Sequence, residues 1–346
     1  MIILISILVL GFLIFVHELG HFMVAKMVGI HVLEFSIGFG PKFLGFQKSE
    51  DTTMYSLRIL PLGGFVRMAG MDPEEENDCA NGFNAKPLKS RFAVLSAGSV
   101  MNFLTAILLF VITFGLIGEP AVSNTNVIGD VLSESPAMTA GLRAGDRIVS
   151  INQKPTRNWE EVAGSIRESR DNDLNLVVER QEQSLSFTVT PRYDSQYEIY
   201  QIGITQQILW QKQGFISAIK LGLIKAFEFA KLVLVGLVGL IGGTISTNEV
   251  AGPVGITVAI GEAAAGGAGY LMIFTAILGI NLALINLLPI PALDGSRLVF
   301  LMIEGLKGKP VAPEKENFIH LIGFALLMVL FVLITYNDIA RIFTGG

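Results

Sequence analysis

Residues 8–25 read Leu8-Val9-Leu10-Gly11-Phe12-Leu13-Ile14-Phe15-Val16-His17-Glu18-Leu19-Gly20-His21-Phe22-Met23-Val24-Ala25. They close an apolar run, residues 2–25, that meets the roughly 20 residues a helix needs to cross a bilayer. Three ionisable side chains interrupt it. Each costs about 2.5–3.5 kcal/mol near mid-membrane on insertion scales, so partners or a metal are expected. A cleaved leader fits poorly, because no basic segment precedes the run and no small-residue cleavage site follows it.

The three residues form the pattern His17-Glu18-Leu19-Gly20-His21. Helix positions i and i+4 share one face, so both imidazoles can hold one zinc ion. The intervening Glu18 then stands as general base toward a water activated there. The plain alternative is a set of polar residues packed within a helical bundle. Residues of this kind usually bind a catalytic zinc with three protein ligands and an open position. His31 lies beyond the run, and His320 opens a later apolar run, where an interface anchor is the commoner role. Asp294 ends a long uncharged run, residues 282–293, and is the better third candidate. Its plain reading is a turn residue before Gly295.

The rest of the chain agrees with a membrane setting. Of 346 residues, 51% are hydrophobic and 16% charged, against about 25% charged in soluble chains. The net charge of −5 gives no support for a nucleic-acid partner. The single Cys79 excludes an internal disulfide framework. Further uncharged runs at residues 92–117, 270–293 and 318–336 make four transmembrane helices in all. Residues 28–91 are mixed, with strand-like runs at 33–37 and 53–59 and an acidic turn at 72–78. Residues 122–195 are polar, with strand-like runs at 127–132, 147–151, 174–180 and 185–189 and a helix at 159–168. They suffice for one small domain.

Lys86, Lys89 and Arg91 precede the second span, and Arg297, Lys307, Lys309 and Lys315 follow the third. The positive-inside rule puts both groups in the cytoplasm. The N-terminus and the polar domain then lie outside. Residues 214–260 are read as an interfacial region, because Lys220, Lys225, Glu228 and Lys231 interrupt its first half. That reading also lets Asp294 arrive at the depth of the histidines, toward the cytoplasmic side.

Several motifs occur in order: His17–His21, Gly38-Phe39-Gly40-Pro41, Pro61-Leu62-Gly63-Gly64-Phe65-Val66, Gly252-Pro253-Val254-Gly255-Ile256, and Asn286-Leu287-Leu288-Pro289-Ile290-Pro291-Ala292-Leu293-Asp294-Gly295. Together they resemble the site-2 protease family of intramembrane zinc metalloproteases, most closely its bacterial regulator-of-sigma-E protease branch. The resemblance spans nearly the whole chain. It implies a multi-pass protease of the bacterial cytoplasmic (inner) membrane. Its substrates would be single-span membrane proteins of the anti-sigma-factor or signal-peptide-like kind, cut within or near their transmembrane segments. His17, His21 and Asp294 match the family's zinc ligands and Glu18 its catalytic carboxylate. Asn286 matches a residue tied to substrate handling, in one motif with Pro289 and Pro291. Residues 35–68, with Gly38, Gly40, Gly63 and Gly64, match a hairpin that dips into the membrane beside the substrate.

Two departures stand out. Ala97-Gly98-Ser99 replaces a common Ala-Gly-Pro, with Asn102 retained, and Ser296 replaces a common second glycine. Residues 140–152 are similar to the signature of a bacterial PDZ domain. The length allows one such domain, where the best-known long members carry two. Its peptide groove is expected along Val127, Ile128, Gly129 and Val131. The expected architecture is a polytopic α-helical membrane protein with four transmembrane helices, at residues 1–27, 92–117, 270–295 and 318–337. It adds a membrane-associated β-hairpin within 28–91 and one inserted α+β PDZ domain. The rival function is a non-proteolytic scaffold or PDZ adaptor with a vestigial metal site. Oligomeric state is left open.

Overall fold

The computed structural model describes residues 1–49, 52–71, 81–195, 197–244 and 251–344. The acidic turn expected at 72–78 and Cys79 fall outside them. In chain order the elements are α1 (Ile2–Met27), β1 (Val32–Phe46), β2 (Met54–Met68) and α2 (Leu88–Ile112), which runs into a π-helical turn at Thr113–Ile117. There follow β3 (Glu119–Val122), β4 (Ile128–Val131), α3 (Pro136–Ala140), β5 (Arg147–Ile151), β6 (Lys154–Pro155) and α4 (Trp159–Ser169). Next come β7 (Leu174–Arg180), β8 (Gln183–Val189), β9 (Arg192–Asp194), β10 (Ile199–Gln201), β11 (Ile204–Gln206) and β12 (Ile208–Gln211). The chain ends with α5 (Phe215–Ile241), α6 (Pro253–Ala265), α7 (Ala268–Asn286), α8 (Asp294–Lys307) and α9 (Pro313–Thr344). Two compact units result: Met1–Gly115 with Gly214–Gly346, and the inserted Leu116–Gln213.

In the outer unit four helices are long and apolar enough to cross a membrane among the described residues: Ile2–Met27, Leu88–Ile117, Ala268–Asn286 and Glu314–Arg341. The third stops earlier than its apolar run. Pro289 and Pro291 lack the N–H a helix needs, so residues 287–293 form a turn and Asp294 starts α8. Gly20 lets α1 and α2 approach closely, since a Cβ there would lie 2.9 Å from the Ala97 carbonyl carbon and Met101 Cβ. Ala25, Val32, Met68, Val94, Leu95 and Leu298 form a core joining α1, the hairpin, α2 and α8.

Within residues 214–260, read as an interfacial region, the first helix is α5. This helix packs lengthwise and antiparallel on α2: a Cβ on Gly115 would lie 3.7 Å from Ala218, and the Phe103 and Phe227 rings are 5.5 Å apart. Small residues at 218, 222, 226 and 230 recur every fourth position and form the contact face, as in close-packed membrane helices.

The hairpin is more than two strands. Residues 32–37 of β1 pair with 54–57 and with 64–68 of the bent β2, while residues 42–46 fold back on 55–58. Residues 64–68 thus form an outer strand, and no further strand pairs beside it among the described residues. Gly38 and Gly63 have φ of +89° and +107°, where a side chain would be strained.

The inserted unit is wider than 122–195, because β10–β12 belong to it as well. β12 pairs antiparallel with β3, and β11 with β4. A four-stranded sheet, β6-β5-β7-β8, carries a core of Ile148, Ile151, Leu174, Leu176 and Val178 against α4. Asp146 is buried, accepting from Arg143 N–H at 2.9 Å and from Arg180 Nε and Nη2 at 2.6 and 2.7 Å. The peptide groove expected along Val127, Ile128, Gly129 and Val131 is not an open edge. β11 pairs with β4 on one side, Ile128 exchanges hydrogen bonds with Asp146 and Gly145, and Val127 bridges Arg147. The short strand β11 was not foreseen.

Candidate metal centre

The buried face of α1 carries Val9, Leu13, Val16, His17, Gly20 and His21 at helical spacing. That periodicity turns both imidazoles inward. The turn at 287–293 brings Asp294 from the far end of the sequence to meet them. His17 Nε2 lies 3.0 Å from Asp294 Oδ2, His21 Nε2 lies 3.2 Å from it, and the two Nε2 atoms are 3.1 Å apart. Of the other candidates, His31 is not in the cluster, and His320 accepts a hydrogen bond from Ala292 N–H instead.

The donor set fits a zinc ion. Tetrahedral donors 2.0–2.1 Å from zinc sit about 3.3 Å apart, close to this triangle. His21 Nδ1–H donates to the Val94 carbonyl at 2.7 Å. A neutral His21 therefore turns its Nε2 lone pair toward a carboxylate oxygen and another ring nitrogen, an arrangement that calls for a cation. Gly98 keeps the space clear: a Cβ there would lie 2.5 Å from His21 Nε2 and 2.7 Å from His17 Nε2. Asn102 is fully buried, 3.5 Å through Nδ2 from His17 Nδ1, and its Oδ1 has no partner. When His17 binds metal through Nε2, its Nδ1 carries the proton, and a half-turn of the Asn102 amide supplies the missing acceptor.

Glu18 follows His17 and faces a cavity of about 740 Å³ shared with the three donors. Val66 of the outer hairpin strand lines the same cavity beside it. A Cβ on Gly64 would lie 3.2 Å from Glu18 Cγ, so that glycine permits the approach. Phe65–Met68 form one wall. Arg91 of α2 and Glu304 of α8 form a two-pronged ion pair in another. Gly38, Gly40 and Gly63 shape the hairpin without lining the cavity. Asn286 ends α7, and neither it nor Pro289 nor Pro291 lines the cavity. Sequence reasoning gave Gly98 and Asn102 no role, although both lie in the second-span motif it singled out.

A model of peptidase family M50 matches residues 5–330. The chain is 36% identical to the zinc metalloprotease RasP of Geobacillus kaustophilus, covering 97% of each chain. It is 32% identical to the regulator of sigma-W protease RasP of Bacillus subtilis, covering 97% of this chain and 98% of the other. It is 33% identical to the probable protease eep of Enterococcus faecalis over the same shares. Among solved structures, a PDZ domain of an SdrC-like protein from Listeria monocytogenes aligns at 17% identity and a TM-score of 0.22, covering 25% of this chain and 90% of that one.

Proposed function

The chain belongs to peptidase family M50 and is an intramembrane zinc metalloprotease; from that premise we propose that His17, His21 and Asp294 hold the zinc and that Glu18 is the general base. The observation that carries this is the triangle of two Nε2 atoms and one carboxylate oxygen, 3.0–3.2 Å on a side, opening on a cavity that Glu18 shares. Bound zinc supplies Lewis acidity to the attacking water and the scissile carbonyl. Glu18 takes the water's proton and passes it to the leaving amine.

Its substrates are membrane proteins. We assign them to the single-span class, of the anti-sigma-factor or signal-peptide-like kind, in keeping with a relative named for sigma-W regulation. A transmembrane substrate helix hides its amides in internal hydrogen bonds and must unwind before cleavage. The free edge of residues 64–68 offers replacement backbone partners beside Glu18, which a chain opened in lipid requires. Lys86, Lys89, Arg297 and Lys307 favour a bacterial cytoplasmic membrane location with this cavity toward the cytoplasm. The N-terminus and the inserted unit, read as a PDZ domain, then lie outside.

Glu18→Gln tests the assignment. The variant is expected to retain zinc while cleavage of a tagged transmembrane peptide falls by about 10²–10⁴-fold. Zinc analysis paired with the cleavage assay, with and without chelator, reads both. Ordinary turnover by Glu18→Gln removes Glu18 from the mechanism.

A further inference from the structure

His320 has no role in the chemistry above, yet it sits where it can govern Asp294. Its Nδ1 accepts a hydrogen bond from Ala292 N–H at 3.0 Å. Ala292 has φ of +76°, a left-handed conformation that strains a non-glycine residue and persists only where surroundings hold it. Two residues later comes Asp294. The same stretch of α9 seats the preceding residue, since a Cβ on Gly323 would lie 2.9 Å from Pro291 Cα and its carbonyl carbon. The His320 ring also rests edge-on against Phe300 of α8, centroids 5.8 Å apart. Because Nδ1 accepts, the ring proton is on Nε2, whose nearest anion is Glu316 at 3.7 Å, one turn earlier.

We infer that His320 is a positioning residue for the third metal ligand: through Ala292 N–H it holds the strained turn that presents Asp294, so that α9 must be docked for the zinc site to be complete. This rests on the assignment of Asp294 as a ligand. α9 is suited to such coupling. Only 6% of its most apolar stretch is buried, against 28% for α1. Beyond this seat it is anchored by Asp338, which accepts from Gly252 N–H at 3.1 Å and Gly255 N–H at 2.8 Å at the start of α6.

The experiment is zinc competition against a fluorescent chelator, with zinc release rates, on full-length protein in detergent. Asp294→Asn is the control, and its retention of tight zinc would refute the ligand assignment itself. Given loss there, His320→Ala is expected to weaken zinc about 10–100-fold and to speed its release, the range seen for supports of metal ligands. His320→Asn, whose carbonyl can accept from Ala292 N–H, should recover most of the affinity. In an Asp294→Asn background His320→Ala should add nothing, whereas general destabilisation would still add its effect. Wild-type affinity and release in His320→Ala, beside a defective Asp294→Asn, overturn the proposal. Should His320→Ala not fold, Gly323→Ala carries the test by displacing Pro291, and unchanged zinc affinity there has the same force.

Discussion

The metal centre is assembled from two halves built on different principles. His17 and His21 ride one turn apart on a straight helix, packed against α2 through Gly20 and braced by the Val94 carbonyl and Asn102. Asp294 arrives on a turn forced by two prolines, with one left-handed alanine and one hydrogen bond donated to a sparsely packed helix. The first half is rigid because a helix repeats its geometry at every residue. The second is rigid only where separate contacts agree. Damage to the first half should therefore act by filling or unbracing a fixed space, and damage to the second by loosening a ligand.

Gly98→Ala should have the largest effect. Its methyl would intrude between the two Nε2 atoms, and zinc affinity should fall by more than about 100-fold. Alanine favours a helix by about 1 kcal/mol over glycine, but overpacking against two buried rings costs about 1–3 kcal/mol, so the zinc-free protein should also melt somewhat earlier. A zinc titration beside thermal unfolding checks both, and retained affinity would mean that the histidine half tolerates filling. Asn102→Leu comes next. It removes the partner of His17 Nδ1 while keeping the volume, and should weaken zinc about 10–100-fold without altering the fold by circular dichroism. Unchanged affinity would leave His17 braced by packing alone. Ala292→Val tests the other half most gently. A β-branched residue resists positive φ, and a strain of about 1–2 kcal/mol at the turn corresponds to roughly tenfold in zinc affinity. Equal affinity in that variant would make the turn as robust as the helix and erase the contrast.

The same contrast explains what could be read from residues alone. The histidine half was plain, because i and i+4 determine a face whatever surrounds it. The four spans and the strands at 147–151, 174–180 and 185–189 were plain for the same reason of periodicity. Asp294 was reachable only through its depth and the motif around it, and the turn that delivers it was hidden by apolar residues continuing through 287–293. Gly98 and Asn102 carry no local signal, since one acts by an absent side chain and the other through a residue 85 positions away. β11 is three residues long, below any length at which alternation can be recognised, and it closes the edge expected to be open.

The ladder between Glu119–Val122 and Ile208–Gln211 has a consequence for how such chains are built. Partnered strands lie about 4.8 Å apart, so the polypeptide leaves for its excursion and comes home at nearly one point. Everything between is a cassette on a closed stem. Its length, number of modules or ligand preference can change, or it can be cut back to a hairpin, with only the stem's few hydrogen bonds to preserve.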